Sequence, residues 1–363
     1  LSDLNHFKLK SKRYTPKSQV ATTTLTTFPK YCILEFAPYS TKGDLNMLMY
    51  LWLIVGFVFL IKGADFFVEG SSSVAKLLKI PTIIIGLTIV AFGTSMPEAS
   101  VSITAAMAGK NELSLSNVIG SNIFNLLVVA GASAVLRPIH VENSVLKKDF
   151  PFSIFITLVL LIMCIPSKFH SSKISVLTQT EGVLLLLLFA FYLYWTVRHA
   201  LRARHWMAED SEPRVLSPLW TILYIILGLA GIIWGGNLVV DSATAIAQAF
   251  GLSETFIGLT IVALGTSLPE LVTSVVAARK GESDIAMGNV IGSNIFNLLL
   301  VLGASCTLHP VAVNLFSVYD IIILMAVSIF TYIFALHKRT LSKKEGALML
   351  PMYLAFFCFI SFR

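Results

Sequence analysis

Residues 86–131 read GLTIVAFGTSMPEASVSITAAMAGKNELSLSNVIGSNIFNLLVVAG, and residues 258–303 read GLTIVALGTSLPELVTSVVAARKGESDIAMGNVIGSNIFNLLLVLG. A shift of 172 residues superimposes the two without a gap, and about 28 of the 46 positions are identical. Agreement at that level marks an internal repeat rather than a shared composition. Weaker similarity runs upstream, where Gly56, Gly63 and Glu69 fall on Gly228, Gly235 and Asp241.

The repeats lie in a chain of 363 residues that is 56% hydrophobic and only 13% charged, with a mean hydropathy of +0.80. Soluble domains carry about 25% charged residues, so the expected solvent is a lipid bilayer. Apolar runs long enough to cross roughly 30 Å of hydrocarbon recur from residue 47 onward. Ten spans are predicted, at 48–70, 82–108, 114–136, 150–166, 180–197, 219–242, 253–278, 286–307, 316–336 and 345–361, the fourth of them short. Five spans fall to each copy of the repeat. An odd number makes the second copy enter the membrane from the opposite side, related to the first by a pseudo-twofold axis in the membrane plane. The expected fold is thus an all-α integral membrane protein with ten transmembrane helices as two inverted five-helix repeats. The first repeat is read over 47–198 and the second over 219–363. Between them a basic cytoplasmic linker, 199–218, carries Arg202, Arg204 and Arg214 beside Glu209, Asp210 and Glu212. It is too short for a regulatory domain.

Charge gives the orientation. With ten alternating helices, the loops 71–81, 137–149, 198–218, 279–285 and 337–344 share one side and hold 15 Lys and Arg. The other side has Lys110, Lys168, Lys173 and Arg363. Excess Lys and Arg marks the cytoplasmic face, so both termini are expected outside the cytoplasm. Residues 1–46 do not fit, because they are polar and add seven positive charges to the outer side. Met47 directly precedes the first span, and 1–46 is read as a disordered or non-native N-terminal extension. The net charge of +7 is spread over short inter-span segments, which argues against nucleic acid as a partner. The scattered cysteines Cys32, Cys164, Cys306 and Cys358 have neither metal-ligand nor disulfide spacing.

Each copy places a glutamate deep in an apolar helix, one residue after a proline: Pro97–Glu98 and Pro269–Glu270. A carboxylate there costs about 2.5–3.5 kcal/mol on insertion scales and is expected to face a polar cavity. A structural ion pair is the rival reading, but the cores of these helices offer no Lys or Arg. The proline withholds a backbone donor and clashes with the carbonyl four residues back, at Gly93 or Gly265. Carbonyls around Ala91–Thr94 and Ala263–Thr266 are then available to an ion, and Thr94, Ser95, Thr266 and Ser267 add hydroxyls. In the second motif Ser121 and Asn125 lie four apart on one helical face, as do Ser293 and Asn297. Asn122 and Asn294 point about 100° away and are expected to bond between helices, while Gly120 and Gly292 permit close helix contact or a local break. The donor set is all oxygen, suited to hard cations such as calcium or sodium. Lys62, Asp65 and Glu69 near the end of the first span are read as interface anchors.

On GTSMPE at 93–98, GTSLPE at 265–270 and GSNIFN at 120–125 and 292–297, the chain resembles the calcium/cation antiporter superfamily, specifically the prokaryotic sodium/calcium exchanger type. The resemblance covers residues 47–363. It implies a multi-pass protein of the inner (plasma) membrane, without a cofactor, that releases cytosolic calcium in exchange for sodium, with protons or potassium as other counter-ions. It places ion ligands on Glu98, Glu270, Asn125, Asn297, the side chains of Thr94, Ser95, Thr266, Ser267, Ser121 and Ser293, and the carbonyls of Ala91 and Ala263. The family often has aspartate where this chain has Asn297, which leaves two carboxylates and the counter-ion open. A calcium/proton exchanger and a two-glutamate cation channel are the alternatives. An intramembrane enzyme is disfavoured, since no nucleophile–base pair stands out.

Overall fold

In the computed structural model the described residues are 42–109, 111–165, 175–203, 216–251, 261 and 263–361. The extension read over 1–46 lies outside them up to residue 41, as do 204–215 of the linker, most of 252–262 at the start of the seventh expected span, and Lys110, Lys168, Lys173 and Arg363.

The described chain is helical apart from short strands. In order, α1 is Lys42–Leu78, α2 Thr82–Thr94, α3 Met96–Met107, α4 runs over 111–136, α5 is Phe150–Cys164, α6 Gln179–Ala203 and α7 Pro218–Ala249. After these come α8 Ala263–Thr266, α9 Leu268–Lys280, α10 Ser283–Leu308, α11 Leu315–Leu336 and α12 Lys343–Ser361. Local chemistry sets several ends. Pro218 occupies the first turn of α7, where a missing N–H costs nothing. Asn314 caps α11 by accepting the Ser317 N–H at 2.8 Å. Gly281 ends α9 at φ +86°, a conformation that favours glycine.

Among the described residues seven helices are long and apolar enough to cross a membrane, and an eighth if the bent pair α2–α3 is one span. The sequence reading has ten. The difference falls on the fourth and seventh expected spans: α5 has 15 residues, and the seventh is divided between undescribed residues, the four-residue α8 and the 13-residue α9. A helix needs about 20 residues to cross the hydrocarbon unaided.

The helices carrying the second motif form the interior. In the best span window of α10, 94% of residues are buried, and in that of α4 78%, against 22% in α1 and 11% in α12. Polar residues of α4 and α10 are therefore shielded from lipid by their neighbours. Small residues bring backbones together around them. A Cβ on Gly292 would lie 2.7 Å from Ala91 Cβ and 2.8 Å from the Leu87 carbonyl, so α10 and α2 touch main chain to main chain. Gly120, its counterpart, has nothing within 4 Å of such a Cβ among the described residues. The long helices α1 and α7 meet the same way: a Cβ on Gly63 would lie 2.6 Å from Ile232 N.

Two short antiparallel ladders tie the helix ends. Ile139–His140 (β1) pairs with Thr340–Leu341 (β4), and Ser175–Leu177 (β2) with Val311–Val313 (β3). Each ladder joins loops that the expected ten-span alternation would put on the same side. Asp65 and Glu69, read as interface anchors, instead face the last turn of α9. Lys280 Nζ donates to the Asp65 carbonyl at 2.8 Å and sits 3.5 Å from both carboxylates. Ser72 donates to Glu282 and Thr82 to Asp284, at 2.8 and 3.0 Å, so α1 and α2 grip the α9–α10 turn.

Candidate cation site

Proline sets the first half of the site. Pro97 lies in the first turn of α3 and cannot donate to the Gly93 carbonyl, and the helix breaks at Ser95 (φ −84°, ψ 7°) with a 50° bend between α2 and α3. Pro269 acts alike: Ser267 (φ −92°, ψ 3°) separates α8 from α9. Both glutamates consequently stand in the first turn of a new helix, where the positive end of the helix dipole favours a carboxylate. The breaks also bring each serine to the other glutamate. Ser95 Oγ donates to Glu270 Oε1 and Ser267 Oγ to Glu98 Oε1, both at 2.8 Å. Ser267 Oγ is also 3.1 Å from Ser121 Oγ. In the same crosswise sense Thr94 lies against Glu270 and Thr266 against Glu98. No ion pair to either glutamate occurs among the described residues, whose salt bridges involve Lys62, Lys280, Asp65 and Glu69.

Below the breaks, four asparagines join α4 to α10. Asn122 Nδ2 donates to the Asn294 carbonyl and Asn294 Nδ2 to the Asn122 carbonyl, at 3.2 and 3.3 Å. Asn125 Nδ2 donates to Asn294 Oδ1 at 3.2 Å, and Asn297 Nδ2 to Asn122 Oδ1 at 3.1 Å. The interhelical role expected for Asn122 and Asn294 is therefore present. Asn125 and Asn297 each open a π-helical turn, Asn125–Val129 and Asn297–Val301, an irregularity frequent at functional sites.

Glu98, Glu270, Asn125 and Asn297 are all fully buried. Among the described residues, Glu98 Oε2, Glu270 Oε2, Asn125 Oδ1 and Asn297 Oδ1 meet no hydrogen-bond donor, and Ser293 lies against Glu270. Buried acceptors are nearly always satisfied, and leaving one unmade costs about 1–3 kcal/mol, more for a charged group. Four acceptor-only oxygens without a donor suit a cation.

The remaining expected ligands divide. Thr94, Ser95, Ser121 and Ser267 are buried at the site, and Thr266 is half-buried beside it. The Ala91 carbonyl accepts the Ser95 N–H at 3.0 Å and lies 3.4 Å from the Thr94 hydroxyl. Ala263 lies in the backbone of α8. Two further asparagines escaped the sequence reading. Asn117 Nδ2 donates to Ser102 Oγ at 2.9 Å and lies 3.4 Å from the Glu98 carbonyl. Asn289 Nδ2 donates to Ser274 Oγ at 2.9 Å and lies 3.3 Å from the Glu270 carbonyl, and Asn289 Oδ1 accepts from Thr94 at 2.9 Å. Both pin the turn that carries a glutamate to the helix behind it. Their signal was present: Asn117 and Asn289 match across the repeat and sit four residues before Ser121 and Ser293.

Comparison with known proteins agrees in fold and family. The sequence profile described as sodium/calcium exchanger protein matches residues 48–198 and 220–362. The putative antiporter CaxA of Alkalimonas amylolytica is 39% identical over 316 residues, covering 84% of this chain and 96% of that protein. The sodium/calcium exchanger MaX1 of Methanosarcina acetivorans is 32% identical over 341 residues, covering 85% and 97%. The structure of the sodium-calcium exchanger NCX_Mj soaked with 2.5 mM Na+ and 0.1 mM Ca2+ superimposes with a TM-score of 0.74 at 31% identity, over 85% of this chain and 97% of that one.

Proposed function

This chain belongs to the sodium/calcium exchanger family, and from that premise we propose that it exports calcium in exchange for sodium by alternating access at a site built on Glu98 and Glu270. The observation that carries the proposal is the set of four buried, unpartnered oxygens, two of them carboxylate. The ligand shell is completed by Asn125, Asn297, Thr94, Ser95, Thr266, Ser267, Ser121, Ser293 and the carbonyls of Ala91 and Ala263.

Exchange follows from charge. Two carboxylates are matched by one calcium ion or two sodium ions, so the occupants compete for one site. Bare, the site would hold two uncompensated charges where water is excluded, which costs several kcal/mol per ion even after relaxation. Switching sides is easy only when the site is loaded, and a ligand shifts that equilibrium by its differential affinity for the states. In the proposed architecture ten spans form two inverted halves, both termini lie outside the cytoplasm of an inner-membrane protein, and α1 with α7 glides past the site. The backbone contact at Gly63 supports movement of those two helices as one unit.

The test is calcium flux into proteoliposomes with sodium, proton and potassium gradients varied one at a time. Sodium-driven uptake is expected in the unaltered protein and is expected to be abolished by Glu98→Gln or Glu270→Gln with expression intact. Normal flux in either variant removes the two-glutamate site. A second reading keeps protons as the counter-ion at the same two glutamates, since the neutral Asn297 in place of the family's frequent aspartate leaves the counter-ion open, and uptake driven by a proton gradient at constant sodium would select it.

A further inference from the structure

A primary amide presents two N–H donors on one side and an accepting oxygen on the other, so its partners decide which faces inward. In the four-asparagine cluster the backbone makes that decision. Asn122 Nδ2 and Asn294 Nδ2 each face the other residue's carbonyl, at 3.2 and 3.3 Å. A carbonyl only accepts, so neither amide can be reversed without setting oxygen against oxygen. Their Oδ1 atoms are thereby turned the other way, where they accept from Asn297 Nδ2 at 3.1 Å and Asn125 Nδ2 at 3.2 Å. Those two amides are fixed in turn, and their Oδ1 atoms are the ones buried without a protein partner. Reversing Asn125 or Asn297 would offer the ion an N–H and confront two oxygens at hydrogen-bond distance.

We propose that Asn122 and Asn294 are positioning residues, each locked to the other's backbone across α4 and α10 and each turning the amide oxygen of a ligand on the opposite helix, Asn297 and Asn125 respectively, toward the ion. The inference rests on reading Asn125 and Asn297 as ion ligands. Its distinctive content is the crossed pairing: Asn122 acts through Asn297 and not through Asn125, its neighbour on the same helix, and Asn294 acts through Asn125.

The crossing supplies the test. Calcium affinity of the purified full chain in detergent is measured by isothermal titration for Asn122→Ala, Asn294→Ala, Asn125→Ala and Asn297→Ala, and for their pairwise combinations. Outer residues that orient metal ligands are worth about 10–100-fold in affinity, and that loss is expected for Asn122→Ala in the unaltered background. On an Asn297→Ala background the further loss is expected to vanish, because the residue being oriented is gone. On an Asn125→Ala background it is expected to persist in full. Asn294→Ala should give the mirror pattern. Packing damage lowers affinity on both backgrounds alike, so equal losses, or no loss, overturn the inference. If an alanine variant elutes as aggregate, Asn122→Leu or Asn294→Leu fills the same volume without polar atoms, and either half of the cycle decides the question. Failure of the unaltered chain to bind calcium, or unchanged affinity in Asn125→Ala and Asn297→Ala, overturns the ligand reading and this inference with it, whereas losses in those two with unchanged affinity in Asn122→Ala and Asn294→Ala overturn this inference alone.

Discussion

Asn289 shows how much a single side chain behind the site holds together, since it bonds Ser274 Oγ and Thr94 Oγ1 and reaches the Glu270 carbonyl. Asn289→Ala strands buried polar groups, a loss of about 1–3 kcal/mol, and its melting temperature in detergent is expected to fall clearly below that of the parent. A different titration is expected outside the membrane-spanning helices, at Asp149 on the residue before α5. Burial pushes this carboxyl up from its ordinary 3.8 to about 7, against the opposing influence of the Tyr192 hydroxyl, which donates to it at 3.3 Å, and of Lys148. Glu142 adds repulsion, and His199 lines the same cavity of about 150 Å3. The folded chain thus keeps a proton that the unfolded chain releases, so stability declines as pH rises from about 4 to 7 and the loss is complete above that. Asp149→Asn retains an acceptor for Tyr192 and is expected to melt higher than the parent at pH 8 but alike at pH 4, as thermal scans at the two values would register. At this scale the glutamates were legible because a charge in an apolar run stands out. The asparagines behind them were not singled out, because a buried amide reads equally as helix glue or as ligand support until its partners are seen.

At the scale of elements, the break before each glutamate could be read from Pro97 and Pro269, since a missing donor and a ring clash act locally. The π turns at Asn125–Val129 and Asn297–Val301 could not. A π turn inserts one residue into a helix without a compositional mark. The α1–α7 contact was half legible: the glycines of both helices match across the repeat, but that their backbones touch does not follow from the match. Gly63→Ala puts a methyl 2.6 Å from Ile232 N. Overpacking of this kind costs about 1–3 kcal/mol, so a lower melting temperature is expected, and under the proposed movement of α1 and α7 past the site the initial rate of calcium uptake should drop more than calcium affinity does.

For the whole molecule, the charge bias of the loops predicted sides, and the two ladders join loops in agreement with that alternation. A cysteine placed at Lys338, beside β4, is expected to react with a membrane-impermeant maleimide only after cells are opened, whereas one at Val176, in β2, should react in intact cells. Labelling of both from one side would contradict the proposed topology. The number of crossings was less legible, because short and interrupted helices such as α5 and α8–α9 are stabilised by their neighbours rather than by their own length. The crossed serine–glutamate bonds carry a consequence for each copy of the repeat. Each glutamate takes its hydroxyl from the other copy of the repeat, Glu98 from Ser267 and Glu270 from Ser95. One copy alone would hold a glutamate without its serine partner, so two copies have to meet before either carboxylate is served.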